Sequence, residues 1–163
     1  MADILVTWYS RSGSTEKAAR ALAERLGADA RPLLTSASYA GPGGFLRGIW
    51  DSLRRRTPDV TLDADPAAYR LVVVGAPIWA GKPAAPLRSF LSRHGPRARA
   101  VAAFCLSGSG GAWPGAFGEI ERLVGGHLVA ALSLSQQQVV DGDFAAELQD
   151  FARTLAGPRA IAA

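Results

Sequence analysis

Two uninterrupted apolar runs, Leu71-Val72-Val73-Val74-Gly75 and Ala100 to Leu106, leave this chain few ways to fold. An apolar run without alternation reads as a strand buried on both faces, and such strands sit in parallel sheets that are covered by helices on either side. The remaining segments supply the partners. Ile4 to Tyr9 is the first strand, followed by a polar loop and a helix from Thr15 to about Leu26. Ala18, Ala19, Leu22 and Leu26 share one face of that helix, and Gly27 stands at its C-cap. A short second strand fits Arg31 to Leu34, and Gly41-Pro42-Gly43-Gly44 marks a turn.

Phe45, Leu46, Ile49, Trp50 and Leu53 then share one face of a second helix, with Arg47, Arg54, Arg55 and Arg56 mostly elsewhere. This pattern reads as a core face backed by a solvated basic face. The alternative is a helix that overhangs a ligand site or meets a partner. The loop from Pro77 to Pro83 leads to a third helix, about Pro86 to Arg93. A fourth helix spans Phe117 to Val124, His127 to Leu134 is a fifth strand, and Phe144 to Leu155 is a closing helix. Five strands alternate with five helices, which is the pattern of an α/β protein with a parallel sheet. At 163 residues and 48% hydrophobic, the chain is expected to form one domain, 1–163, around one substantial core.

Composition narrows the chemistry. Cys105 is the only cysteine, so an internal disulfide and a cysteine metal cluster are excluded, and it reads as a small buried hydrophobe. His94 and His127 are the only histidines and fall at element ends, so no metal site is expected. The net charge of +4 and pI near 9.8 come almost entirely from arginine, since Lys17 and Lys82 are the only lysines. That balance suits acidic partners or anionic ligands; the arginines are dispersed and no nucleic-acid motif accompanies them, so nucleic acid is not expected. No apolar run approaches membrane-spanning length and the start does not read as a signal peptide, so the expected location is the cytoplasm.

The special residues cluster in three loops, each leaving the carboxyl end of a predicted strand, which is where open α/β sheets bind ligands. The first loop is Ser10-Arg11-Ser12-Gly13-Ser14-Thr15. Its hydroxyls and backbone N–H groups can converge on a phosphate at the start of a helix, and Gly13 permits close approach. Other phosphate loops fail on spacing. Five residues separate Gly75 from Gly81-Lys82, which Pro83 follows, so there is no Walker A motif, and no Gly-x-Gly-x-x-Gly follows the first strand. Ser109 in Ser107-Gly108-Ser109-Gly110-Gly111 lacks the spacing of a nucleophile elbow.

Tyr9-Ser10-Arg11-Ser12-Gly13-Ser14-Thr15 resembles the phosphate motif with which flavodoxins hold flavin mononucleotide (FMN). Gly75-Ala76-Pro77-Ile78-Trp79-Ala80-Gly81-Lys82-Pro83 resembles their second flavin loop, and Ser107-Gly108-Ser109-Gly110-Gly111-Ala112-Trp113 falls where the third belongs. The resemblance spans essentially the whole chain in element order. It implies a three-layer, doubly wound, five-stranded parallel sheet of order 2-1-3-4-5 with FMN at the switch point, for which flavodoxin is itself the standard example. It further implies that Ser10 to Thr15 hold the phosphate and that Trp79 lies against or beside the isoalloxazine. The peptides around Ala80 and Gly81 would face its redox-active edge, with Pro77, Ile78 and Lys82 of the same loop also in the cofactor site, Ser107 to Gly111 around its pyrimidine end, and Trp113 as a further wall.

The basic charge and Arg11 inside the phosphate loop depart from the acidic flavin surroundings usual in small electron carriers, and there is no long insertion near the fifth strand. The function implied is electron transfer or oxidoreduction through bound FMN, with a redox partner protein or a small-molecule acceptor and a monomeric or homodimeric chain. No obligatory catalytic side chain is expected. The alternatives are an NAD(P)H-dependent quinone reductase of the same fold and a binding domain of this fold that lacks flavin.

Overall fold

A computed structural model describes residues 2–157. Along the chain run β1 (Ile4–Trp8), α1 (Ser14–Leu26), β2 (Asp29–Pro32), β3 (Leu34–Thr35), α2 (Gly41–Leu53), β4 (Val60–Thr61), β5 (Leu71–Trp79) and β6 (Lys82–Pro83). There follow α3 (Ala85–His94), β7 (Val101–Ser107), α4 (Pro114–Val124), β8 (Ala131–Ser135), α5 (Gln136–Asp141) and α6 (Ala145–Ala156). The two apolar runs become β5 and β7, side by side at the centre. The sheet order is β2-β1-β5-β7-β8, every neighbour in that path parallel. This is the doubly wound 2-1-3-4-5 order of the principal strands, with Val6 opposite Val73 and Val73 opposite Ala102 fixing the central register.

Because side chains alternate across a strand, each central strand feeds two cores. Ile4, Val6, Trp8, Leu71, Val73, Ala102, Phe104 and Leu106 face α1 and α6 on one side. Leu5, Val72, Val74, Ala76, Val101, Ala103 and Cys105 face the other, with Leu87, Phe90 and Leu91 of α3 and Ile120 of α4. Gly75 sits between these layers because a Cβ there would collide with the Phe104 ring. Arg88 of α3 reaches Glu119 of α4 at 2.8 Å and the Ser52 carbonyl of α2 at 3.4 Å, tying the three helices of that face together.

Several boundaries differ from the sequence expectation. The second strand is Asp29–Pro32, not Arg31 to Leu34, because pairing with Leu5 to Trp8 sets its register; Leu34 turns away into a small antiparallel ribbon with β4. The fifth principal strand starts at Ala131, although Val129 and Ala130 already bond to β7. Gln136 to Asp141, expected as a connection, is α5, a sixth helix started by a capping box between Ser135 and Gln138. The domain reading 1–163 includes Met1 and 158–163, which lie outside the described residues.

The largest correction concerns α2, which begins at Gly41 with Pro42 in its first turn and is turned the other way round. It buries Gly44, Gly48, Asp51 and Ser52, while Phe45, Leu46, Trp50 and Leu53 are 43%, 67%, 50% and 56% exposed and Ile49 is half-buried. The reason lies underneath. A Cβ on Gly48 would stand 3.0 Å from the Trp79 ring, and one on Gly44 would collide with the Tyr39 backbone. Only the glycine side of the helix can sit that close. The buried Asp51 accepts a 3.0 Å hydrogen bond from the Tyr39 hydroxyl and faces Arg47 and Arg56, each at 3.7 Å. Trp50, read as core, therefore stands at the surface.

Candidate functional site

The first loop closes on itself before it faces anything else. The Ser10 hydroxyl accepts a 3.1 Å hydrogen bond from the Gly13 amide, and Gly13 takes φ +93° as the N-cap of α1. No side chain caps that helix. A helix start leaves its first N–H groups without partners inside the helix, together with the positive end of its dipole. That helix start borders a cleft of about 310 Å³ at the carboxyl edge of the sheet, with Ser12, Ser14 and Thr15 in its wall. The hydroxyls are thus free of the capping role that would explain them in an ordinary helix.

The cleft has two chemically different ends. Arg11, Ser12, Ser14 and Thr15 line one, and among the described residues Arg11 is the only charged one in its wall. Phe45, Pro77, Ile78, Trp79 and Leu106 line the other, with Ser107, Gly108 and Gln136 adding polar groups. With no carboxylate in the wall among the described residues, the cleft favours an anion joined to a flat apolar body.

Of the residues singled out from sequence, Arg11, Ser12, Ser14, Thr15, Pro77, Ile78, Trp79, Ser107 and Gly108 meet in the cleft. Ser10 and Gly13 build the loop behind it. Trp79 borders the cleft with little exposed surface, 5%, and is packed edge-on to Tyr9 at 5.6 Å and beside Tyr39 at 5.0 Å. Ala80 and Gly81, at φ +49° and +75°, form the two-residue turn between Trp79 and Lys82 in the β5–β6 hairpin. That geometry asks for glycine, and Ala80 carries some strain in it. Ala80, Gly81 and Lys82 stand beyond the cleft wall.

In the third loop Ser107 accepts a 2.9 Å hydrogen bond from the Gly110 amide, which pulls the chain back. Gly110, at φ +70°, fits so close to β8 that an added Cβ would lie 2.7 Å from that of Ser135. Ser109, Gly110, Gly111 and Trp113 consequently do not line the cleft, and Trp113 packs near Gly81.

Sequence reasoning missed Leu106 and Gln136, and reached Phe45 only through the alternative of a helix overhanging a ligand site. Gln136 follows β8, so the sheet-edge rule could have found it; Phe45 needed the reversed face of α2. The Arg11 guanidinium lies over the Phe45 ring at 5.2 Å, joining the first loop to that helix.

Burial also sets the acid–base behaviour nearby. It pushes the Tyr9 phenol up to about 12, against a smaller opposing pull from Arg11, and raises Tyr39, whose hydrogen bond to Asp51 adds to the effect. Cys105, fully enclosed in β7, is pushed from 9.0 to about 12 by burial. These are acids whose folded pKa is raised, so the unfolded chain loses its protons first and stability falls as pH rises through the window from 9.0 to about 12. Urea midpoints measured across that window should decline, and Cys105→Ala should flatten part of the decline. An equally steep fall in the variant would assign the effect elsewhere. Among the described residues no cluster of His, Cys, Asp or Glu could hold a metal ion, and no helix is long and apolar enough to cross a membrane.

A parallel 2-1-3-4-5 sheet with its cleft at the switch point, opened by a hydroxyl-rich loop onto a helix start, defines a protein of flavodoxin-like fold. The described structure is similar to a flavoprotein from Lactobacillus acidophilus in complex with FMN, at 22% identity and TM-score 0.70 over 87% of this chain and 98% of that one. It is similar to the two-electron reduced flavodoxin of Megasphaera elsdenii, at 17% identity and TM-score 0.58 over 94% and 98% of the two chains. An NADH:FMN oxidoreductase in its apo form aligns at 17% identity and TM-score 0.56 over 95% and 90%. No protein-family profile and no curated protein matches the sequence.

Proposed function

We propose that the chain is a single FMN-binding domain that transfers electrons through its flavin. The observation that carries this reading is the division of one cleft into an anion end and a flat apolar end. The α1 amides, Ser12, Ser14, Thr15 and Arg11 would hold the phosphate. Phe45, Pro77, Ile78, Trp79 and Leu106 would bound the ring and exclude water, and Ser107, Gly108 and Gln136 would meet its polar edge. FMN supplies one- and two-electron chemistry when bound, and the protein's contribution is to hold it, dry it and tune it. The likeness to FMN proteins of the same fold supports the reading.

Titration of the apoprotein with FMN, followed through tryptophan and flavin fluorescence, is the direct test. Quenching of both signals is the expected result, and two unchanged signals would overturn the proposal. Ser12→Ala with Thr15→Ala should weaken binding by about 1–3 kcal/mol, the worth of lost hydrogen bonds to a charged group. An unaltered dissociation constant would displace the phosphate from this loop.

A quinone reductase using NAD(P)H is the second reading, favoured by the likeness to an NADH:FMN oxidoreductase. Steady-state NADH consumption that depends on added quinone would select it over a carrier.

A further inference from the structure

Six large hydrophobic side chains stand exposed among the described residues, and four of them belong to α2. Leu46, Trp50 and Leu53 recur at helical spacing and form one outward stripe. Phe45 lies beside them, where the helix meets the cleft. Leu34 and Val140, the other two, are isolated in sequence and need no explanation. A contiguous stripe does need one, because exposed apolar patches mark contact surfaces.

Along the segment that carries the stripe the exposed charge has one sign. From Ser36 to Pro58 the only carboxylate is Asp51, which is buried and turned inward to Tyr39, Arg47 and Arg56. Arg47, Arg54, Arg55 and Arg56 are all exposed, and the Arg54 guanidinium covers the Trp50 ring at 4.2 Å. A second copy of the chain would set one arginine fringe against another. A protein partner usually meets a rim of mixed charge that fixes its register, and the exposed charges of this segment are all cations, the next carboxylate, Asp59, being held by Arg93 at 3.1 Å.

We infer that the outer face of α2 rests on an anionic phospholipid surface. The apolar stripe enters the boundary between headgroups and acyl chains, Trp50 sits at headgroup level, and the arginines reach the phosphates. The helix can serve as a rigid platform because Gly44 and Gly48 lock it against Tyr39 and Trp79. Attachment of this kind is reversible and weakens with salt.

The test uses the full-length protein in flotation with vesicles of phosphatidylcholine alone and of phosphatidylcholine mixed with phosphatidylglycerol. Association with the mixed vesicles only, declining with added salt, is expected. Leu46→Asp with Leu53→Asp should lower the bound fraction by about ten-fold, with circular dichroism and the melting curve confirming that the variant folds. Brominated lipid should quench part of the tryptophan emission, and Trp50→Phe should remove that part while leaving flotation largely intact.

Binding that the paired Asp variant does not weaken would overturn the inference. So would a wild-type dimer in light scattering that the paired variant dissociates, since a second copy then covers the face. A folded protein that ignores both vesicle types would also overturn it, leaving an acidic protein as the occupant. The inference does not rest on the flavin reading: Leu46, Trp50 and Leu53 lie outside the cleft wall, so FMN titration and flotation report separately.

Discussion

Replacing Ser12 by Asp should weaken FMN binding by about 2–4 kcal/mol, roughly 30- to 1,000-fold in dissociation constant, without destabilising the apoprotein. Ser12 is exposed in the wall of the anion end, two residues before α1 begins. A carboxylate there would face a phosphate carrying nearly two negative charges. At about 4 Å and an effective dielectric near 20, each unit pair costs about 4 kcal/mol, and the openness of the loop and the neighbouring Arg11 reduce that figure. The same carboxylate lies at the positive end of the α1 dipole, where a negative charge is favourable by about 0.3–1 kcal/mol. Binding and stability should therefore move in opposite directions, which general damage to the loop would not produce. Riboflavin, which lacks the phosphate, provides the control. Equal losses for FMN and riboflavin would place the phosphate elsewhere.

The same loop shows why part of the site was legible. Hydroxyls and a glycine between a buried strand and an amphipathic helix leave little to tertiary context, and the structure keeps them at the sheet edge. The apolar runs were equally informative, since Leu71 to Gly75 and Ala100 to Leu106 hold enough buried surface to claim the centre of any sheet. α2 was legible in one respect only. Its spacing showed that Phe45, Leu46, Ile49, Trp50 and Leu53 share a face, but periodicity cannot say which face turns inward. The deciding quantity was the volume beneath the helix, and Trp79, distant in sequence, filled it. The course of the third loop was not legible for a related reason: nothing in Ser107 to Gly111 announces that Ser107 will bond to the Gly110 amide and turn Ser109 to Gly111 away from the cleft wall.

A second large effect is expected at the ion pair that joins the helices on the α2 side of the sheet. Arg88 and Glu119 meet at 2.8 Å with side chains 6% and 11% exposed, so neither charge has much water to turn to. Arg122 approaches Glu119 at 3.8 Å from an exposed position and adds little. Glu119→Ala leaves the Arg88 guanidinium buried without its partner and should destabilise the protein by about 3–5 kcal/mol. Glu119→Gln, which keeps an acceptor and loses the charge, should cost less.

The pair itself should contribute little net stability, because removing two charges from water offsets most of their attraction. Arg88→Met combined with Glu119→Leu should accordingly recover most of the loss. It should also leave the Ser52 carbonyl with the Arg55 amide alone, and hydrogen exchange should then quicken in the last turn of α2 while the central strands stay protected. Because α2 carries Phe45 to the cleft, FMN affinity should decline in step with that loosening. Urea denaturation of the single and double variants would decide the matter: double-variant stability near the sum of the single losses would mean the residues act independently, and the buried charge would lose its role as the fastener of α2.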